Sequence, residues 1–257
     1  MILAAGLGTR LRPLTNNRPK ALVEVAGRTL LEITLARLRS FGVSEVIVNV
    51  HHFADMVVDY LAANRNFGMR IEVSREDELL DTGGGLRKAA WFFLEPGAHQ
   101  EEPFILHNVD VLSNIDLAQM IRSHAERNAL ATLAVQRRPT SRPLVFNQQG
   151  LFEGRAAGRN YAPEPSQPAP APTSEPESEP TCESDALAFA GIHIISPRIF
   201  AKLHDEGPFS IIDAYVRLAA QGETIAAFGA DTSYWRDLGR PENIAQAAAD
   251  IATGICA

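Results

Sequence analysis

The first twenty-two residues constrain this chain most, because they prescribe a strand that must end in a tight, side-chain-poor turn. The short apolar run Ile2-Leu3-Ala4 leads into Ala5-Gly6-Leu7-Gly8-Thr9-Arg10-Leu11-Arg12-Pro13-Leu14-Thr15, and Arg18-Pro19-Lys20-Ala21-Leu22 follows closely. Gly6 and Gly8 carry no side chain, so backbone N–H groups there can approach a polyphosphate. Arg10 and Lys20 supply cations beside them.

Two better-known glycine loops are excluded. A dinucleotide fingerprint requires a third glycine where this chain has Leu11, and a P-loop requires Gly-Lys-Ser/Thr, which is absent.

Downstream, apolar runs alternate with amphipathic segments, which predicts an α/β sheet covered by helices on both faces. Strands are expected at 2–4, 46–50, 70–74, 104–108 and 131–136, with helices at 30–41, 54–64, 85–93 and 115–128. A strand at 187–195, short helices at 197–203 and 211–221, a closing strand pair at 225–228 and 234–237, and a terminal helix at 241–251 complete the reading. Residues 162–186 break the pattern with seven of the chain's sixteen prolines and six acids. Too little there is apolar to offset the entropy of ordering, so the segment is expected to be a disordered insertion in one domain spanning 1–257.

Charge excludes one class of partner. Of the formal net −7, six charges sit in that insertion, leaving −1 for the remainder. No basic excess of the kind nucleic-acid binding uses is present. Cys182 and Cys256 have neither metal-site nor disulfide-framework spacing, and no apolar run of about 18 residues could cross a bilayer. A cytoplasmic protein, monomer or homodimer, is expected. His51-His52 is read as structural, since neighbours on a strand end point to opposite sides.

The pattern Gly-x-Gly-Thr-Arg-Leu-x-Pro-Leu-Thr with Arg-Pro-Lys-Ala-Leu resembles the sugar-1-phosphate nucleotidyltransferase family. That resemblance implies a single Rossmann-like domain with a mixed, mostly parallel sheet, and no hexapeptide repeat announces an appended β-helix. It also implies a few residues ahead of Met1, which N-terminal sequencing of the native protein would test. The implied reaction joins a sugar 1-phosphate to a nucleoside triphosphate by in-line attack at the α-phosphate, with Mg²⁺ as cofactor and pyrophosphate leaving.

Roles carry over by position. Asp110 follows the apolar run 104–108 in Asn108-Val109-Asp110, where the family has Asn-Gly-Asp, and Asp237 lies in Trp235-Arg236-Asp237-Leu238-Gly239-Arg240, with Arg240 replacing the usual Thr. These two carboxylates are the expected metal ligands. Arg10, a planar fork, is assigned to the β- and γ-phosphates, and Lys20 to the α-phosphate or the incoming sugar phosphate. Ala4, Ala5, Gly6, Gly8 and Thr9 are expected to cradle the nucleotide. Glu76, Thr82, Gly83 and Gly84 are expected to meet base and ribose, with Asp81-Thr82-Gly83-Gly84-Gly85 as a turn ahead of a helix.

Asn108 and Gly191 are the expected sugar contacts. The Glu-Lys-Pro that touches sugar and phosphate in many members has no counterpart; Phe152-Glu153-Gly154-Arg155 is the nearest stretch and lacks the lysine. The Thr-Gly-Gly-Gly turn leans towards uridylyl transfer to an amino sugar 1-phosphate such as N-acetylmuramate 1-phosphate, with mannose- or heptose-1-phosphate guanylyl transfer as the alternative. A catalytically silent nucleotide-sugar-binding regulator is the reading from another class. A glycosyltransferase of related fold is disfavoured, since Asn108-Val109-Asp110 holds only the second acid of an Asp-x-Asp motif.

Overall fold

The runs Ile2–Leu3, Val46–Val50 and Phe104–Asn108, none of which holds a charged residue, make the centre of the parallel half of the sheet. In the computed structural model, which describes residues 1–95, 101–156 and 185–254, the chain runs through β1 (Ile2–Leu3), β2 (Glu24–Val25), β3 (Arg28–Thr29), α1 (Leu30–Ser40), β4 (Glu45–Val50), α2 (Ala54–Ala63) and β5 (Arg70–Arg75). Next come α3 (Asp81–Lys88), α4 (Ala90–Phe93), β6 (Phe104–Asn108), β7 (Val111–Ser113), α5 (Leu117–Glu126), β8 (Ala131–Gln136), β9 (Leu144–Phe146) and β10 (Phe152–Arg155). After the undescribed stretch follow β11 (Asp185–Ile195), α6 (Ile211–Ala220), β12 (Ile225–Gly229), β13 (Trp235–Asp237) and α7 (Pro241–Ala252).

The main sheet is mixed, ordered β10-β9-β11-β6-β1-β4-β5, with β8 on β11 and β12 on β8. β1 lies parallel between β4 and β6, while β11 runs antiparallel to β6, β8 and β9. Alternation along each strand divides the core in two. Val46, Val48 and Val50 pack with leucines of α1, Val57 of α2 and Met120 of α5, while Ile47 faces the other way towards Leu86 of α3 and Tyr215 of α6. Helices are therefore held on both faces.

Local chemistry sets the helix starts. Thr29, Asp116 and Ser210 cap α1, α5 and α6 by accepting from Glu32, Gln119 and Ile212 N–H groups. Thr29 with Glu32 has the spacing of a capping box.

Three expectations change. Helix α3 begins at Asp81 rather than Gly85, so Thr82-Gly83-Gly84-Gly85 lies inside its first turns. Glycine disfavours helix by about 1 kcal/mol each, and packing overrides that preference here, as shown below. The 225–228 and 234–237 segments do not pair with each other: β12 joins β8 in parallel and β13 joins β7 antiparallel. Finally, Asp185 and Ala186 belong to β11, because their backbone pairs with Phe146 and Val145 of β9. Residues 162–184, with Cys182, lie outside the described residues, as does Cys256. The described residues include no helix long and apolar enough to cross a membrane.

Candidate active site

Strand β1 delivers the glycine loop to the end of the sheet where β6 also terminates, so the loop and Asp110 meet at the carboxyl ends of central strands. Gly8 sits in the left-handed region at φ 63°, and a Cβ there would lie 2.9 Å from Thr15 Cγ2 and 3.1 Å from Lys20 Cβ. The Thr15 hydroxyl donates to the Gly8 carbonyl at 2.8 Å. The turn thus folds the Lys20 segment back under the loop.

Lys20 Nζ donates to Asp110 Oδ2 in a close ion pair whose side chains are only 13% and 14% exposed. Arg10 Nη2 faces Asp237 Oδ2 at 3.8 Å, with Arg10 itself 58% exposed. The two acids come together through the β7–β13 ribbon, where Asp237 stands opposite Val111 and Leu238 N–H donates to the Asp110 carbonyl at 2.7 Å. The Asp110 and Asp237 carboxyl groups are close enough for the charge of one to act on the other. Burial pushes the Asp110 carboxyl up, but the Lys20 ammonium more than offsets this and leaves it below the ordinary carboxylate range. Asp237 is held above that range, first by burial and then by the negative charge of Asp110. The paired acids present a concentrated negative locus, flanked by two cations.

A cavity of about 610 Å³ opens on the Lys20 side, lined by Leu3, Ala5, Gly6, Asn49, Glu76, Asp81, Thr82, Asn108 and Asp110 among others. Its floor is a buried polar bracket. Asn49 Oδ1 accepts from Ala4 N–H at 2.7 Å, Asn49 Nδ2 donates to Glu76 Oε1 at 2.7 Å, and Glu76 Oε2 accepts from Leu80 N–H at 3.0 Å. Ala4 therefore commits its N–H to Asn49, and both Glu76 oxygens hold internal donors. His51 Nδ1 meets the Glu76 carbonyl at 2.8 Å, which places His51 beside this bracket.

The glycines of α3 are packing sites. Gly83 and Gly84 N–H groups donate to the Phe209 carbonyl at 2.9 and 3.3 Å, and a Cβ on Gly83 would lie 2.2 Å from Phe209 Cε2. On Gly85 it would lie 2.7 Å from both Asn49 Nδ2 and Glu76 Oε1. The Thr82 hydroxyl accepts from Ile211 N–H at 3.0 Å. These groups press α3 onto the 207–211 segment and onto the bracket, and the Gly83 and Gly84 N–H groups are spent inside the protein.

Gly191 packs against Asn108 and Val111, on either side of Asp110 in the chain. Gly191 has φ 77° in a bulge of β11, and a Cβ there would lie 2.7 Å from Val111 Cγ2 and 3.0 Å from Asn108 Nδ2. Asn108 and Gly191 are thus brought face to face, whereas Thr9 stays exposed on the rim. Sequence reading missed Asn49, although a single polar residue inside Val46-Ile47-Val48-Asn49-Val50 is a signal that a buried hydrogen bond is required. Nothing in the sequence announced Phe209 as the partner of the glycines.

The nucleotidyl transferase family model matches residues 1–254. The chain belongs to this family. An N-acetylmuramate α-1-phosphate uridylyltransferase of Caulobacter vibrioides is 34% identical over 251 residues, covering 94% of this chain and 92% of that protein. A mannose-1-phosphate guanylyltransferase of Mycobacterium tuberculosis is 28% identical over 99% of this chain but 65% of its own length. Among solved structures, HddC of Yersinia pseudotuberculosis superposes with a TM-score of 0.71 at 21% identity, covering 97% of both chains. A UDP-glucose pyrophosphorylase in complex with UDP-glucose gives 0.72 at 18% identity, covering 98% and 97%. At those identities the structures speak for the fold alone, and the nucleotidyltransferase assignment rests on the family match and the sequence relatives.

Proposed function

We propose that this nucleotidyltransferase moves a uridylyl group from UTP to the 1-phosphate of N-acetylmuramate or a closely related amino sugar, releasing pyrophosphate. The observation that carries this reading is the double pairing of Lys20 with Asp110 and Arg10 with Asp237, with Lys20 and Asp110 lining a cavity of about 610 Å³. The choice of base and sugar leans on the Caulobacter relative, matched over nearly the full length of both chains. The Gly83 and Gly84 N–H groups, committed to Phe209, do not bear on it.

Two neighbouring carboxylates fit a hard divalent cation, which takes one or two protein carboxylates together with phosphate oxygens. Asp110 and Asp237 would hold Mg²⁺, which when bound neutralises charge between phosphate groups. Each acid faces a cation suited to phosphate oxygens, Lys20 beside Asp110 and Arg10 beside Asp237.

Arg10, exposed and forked, then grips the departing β- and γ-phosphates, while the enclosed Lys20 faces the α-phosphate. A sugar 1-phosphate oxygen attacks the α-phosphorus, the bond to the bridging oxygen breaks, and its electron pair leaves with pyrophosphate. Asn108 and the Gly191 backbone hold the sugar. No covalent enzyme intermediate is required.

The test is pyrophosphate release across four nucleoside triphosphates and a panel of sugar 1-phosphates including N-acetylmuramate, N-acetylglucosamine, mannose, glucose and heptose. Release with UTP and N-acetylmuramate 1-phosphate is expected. Release confined to GTP with mannose or heptose 1-phosphate would replace the substrate assignment, and saturable nucleotide-sugar binding without release from any pair would indicate a regulator.

A further inference from the structure

Arg138, just past the end of β8, is a cation that the mechanism above does not use. Its Nη2 donates to the Phe189 carbonyl at 2.6 Å, and its guanidinium carbon lies 3.6 Å from the centre of the Trp235 ring. Trp235 Nε1 in turn donates to the Ala190 carbonyl at 2.7 Å. The neighbouring Arg137 pairs with Asp231 at 2.9 Å. Arg138 has no carboxylate partner among the described residues, and its buried Nε has no hydrogen-bond partner at all. Burial lowers its pKa and the nearby Asp237 charge raises it, yet a guanidinium remains protonated. A half-buried, unpaired cation with an idle N–H is costly to maintain unless something anionic meets it.

Position identifies the part of the substrate. Trp235 and Asp237 are two residues apart on β13, so they share a face and stand about 7 Å apart along the strand. Asp237, against Asp110, marks where the phosphates sit. Arg138, stacked over Trp235 and tied to the backbone just before Gly191, therefore stands about one sugar ring further out. A hydroxyl there would leave the charge uncompensated; a planar two-oxygen acid matches the guanidinium fork.

We propose that Arg138 binds a carboxylate carried by the sugar ring, making the acceptor an acidic amino sugar 1-phosphate. N-acetylmuramate has such a carboxylate on its lactyl ether, whereas N-acetylglucosamine, glucose and mannose have none. The inference rests on the uridylyltransferase reading and deepens it.

The test compares kcat/KM with UTP for N-acetylmuramate 1-phosphate and N-acetylglucosamine 1-phosphate in the wild type, Arg138→Gln and Arg138→Met. The wild type should prefer the acidic acceptor. Each folded variant should lower the acid-to-neutral ratio roughly 10- to 100-fold, the range of a charge-assisted hydrogen bond, chiefly through KM. Met keeps bulk over Trp235, so it reports if Gln unfolds the protein. Equal losses for both acceptors, an unchanged ratio, or a wild type without preference would overturn the proposal. If the wild type turns over no acceptor, the transferase reading fails first. Calorimetric titration of the same two sugar phosphates into wild type and Arg138→Met then decides on Arg138: tighter acid binding that the variant loses supports it, and equal binding overturns it.

Discussion

Replacing Glu76 with Ala tests whether the bracket beneath the glycine loop holds the site together. Glu76 is buried and accepts from Asn49 Nδ2 at 2.7 Å and Leu80 N–H at 3.0 Å. Removing it strands one fully buried amide donor and one partly buried backbone donor. An unpaired buried donor costs about 1–3 kcal/mol, so the pair amounts to roughly 2–5 kcal/mol. A domain of this size loses about 2–4 °C of Tm per kcal/mol, which places the expected drop at roughly 4–20 °C by circular dichroism. Glu76→Gln should cost less but not nothing. One end of its amide becomes a donor, and that end must face either the Asn49 amide or the Leu80 N–H. Because Asn49 Oδ1 also fixes Ala4 N–H at the loop entrance, KM for UTP should rise in both variants. An unchanged Tm with a raised KM would refute the bracket and make Glu76 a direct nucleotide contact.

Other consequences can be measured with the same preparations. Asp110→Ala should reduce pyrophosphate release by roughly 100-fold or more while thermal unfolding remains cooperative, and near-normal turnover would remove Asp110 from the metal site. Gly191→Ala, strained by φ 77° and crowding Asn108, should cost about 1–3 kcal/mol and raise KM for the sugar phosphate more than for UTP. Stability should fall on acidification. Burial, followed by the Arg37 charge, lowers His107 to about 4, and burial, followed by His107, lowers His193 to about 3, both from 6.5. The folded protein keeps these imidazoles neutral while the unfolded chain protonates below pH 6.5, so their contribution is complete above 6.5 and lost between 6.5 and about 4 to 3. Each histidine contributes a slope of up to about 1.4 kcal/mol per pH unit. Urea midpoints that stay flat from pH 7 to 5 would contradict this.

Much of the frame was legible because it is written in local periodicity. Runs such as Val46–Val50 and Phe104–Asn108 show strand composition, Gly6 and Gly8 mark a turn that tolerates close approach, and Thr29-x-x-Glu32 marks a helix start. A motif could also nominate Asp110, Asp237, Arg10 and Lys20, since residue type and spacing survive in one dimension. What a one-dimensional pattern lacks is the partner of each group. The β7–β13 ribbon that sets Asp237 against Asp110 joins segments more than a hundred residues apart, and Trp235–Asp237 looks equally ready to pair with its sequence neighbour β12. The three glycines of α3 read as a turn by propensity, yet they lie in a helix packed so closely that Phe209, the Gly207 carbonyl and the Asn49–Glu76 pair leave no room for a Cβ. No motif sets Arg138 apart in the sequence; folding lays it on Trp235, with no carboxylate partner among the described residues. Sequence alone thus determined the strands, the turn and the chemical groups available, through short-range sterics and hydrophobic spacing. Only the tertiary structure decided which groups face one another and which charge is left unpaired, because contact and burial depend on chain segments that local preference cannot see.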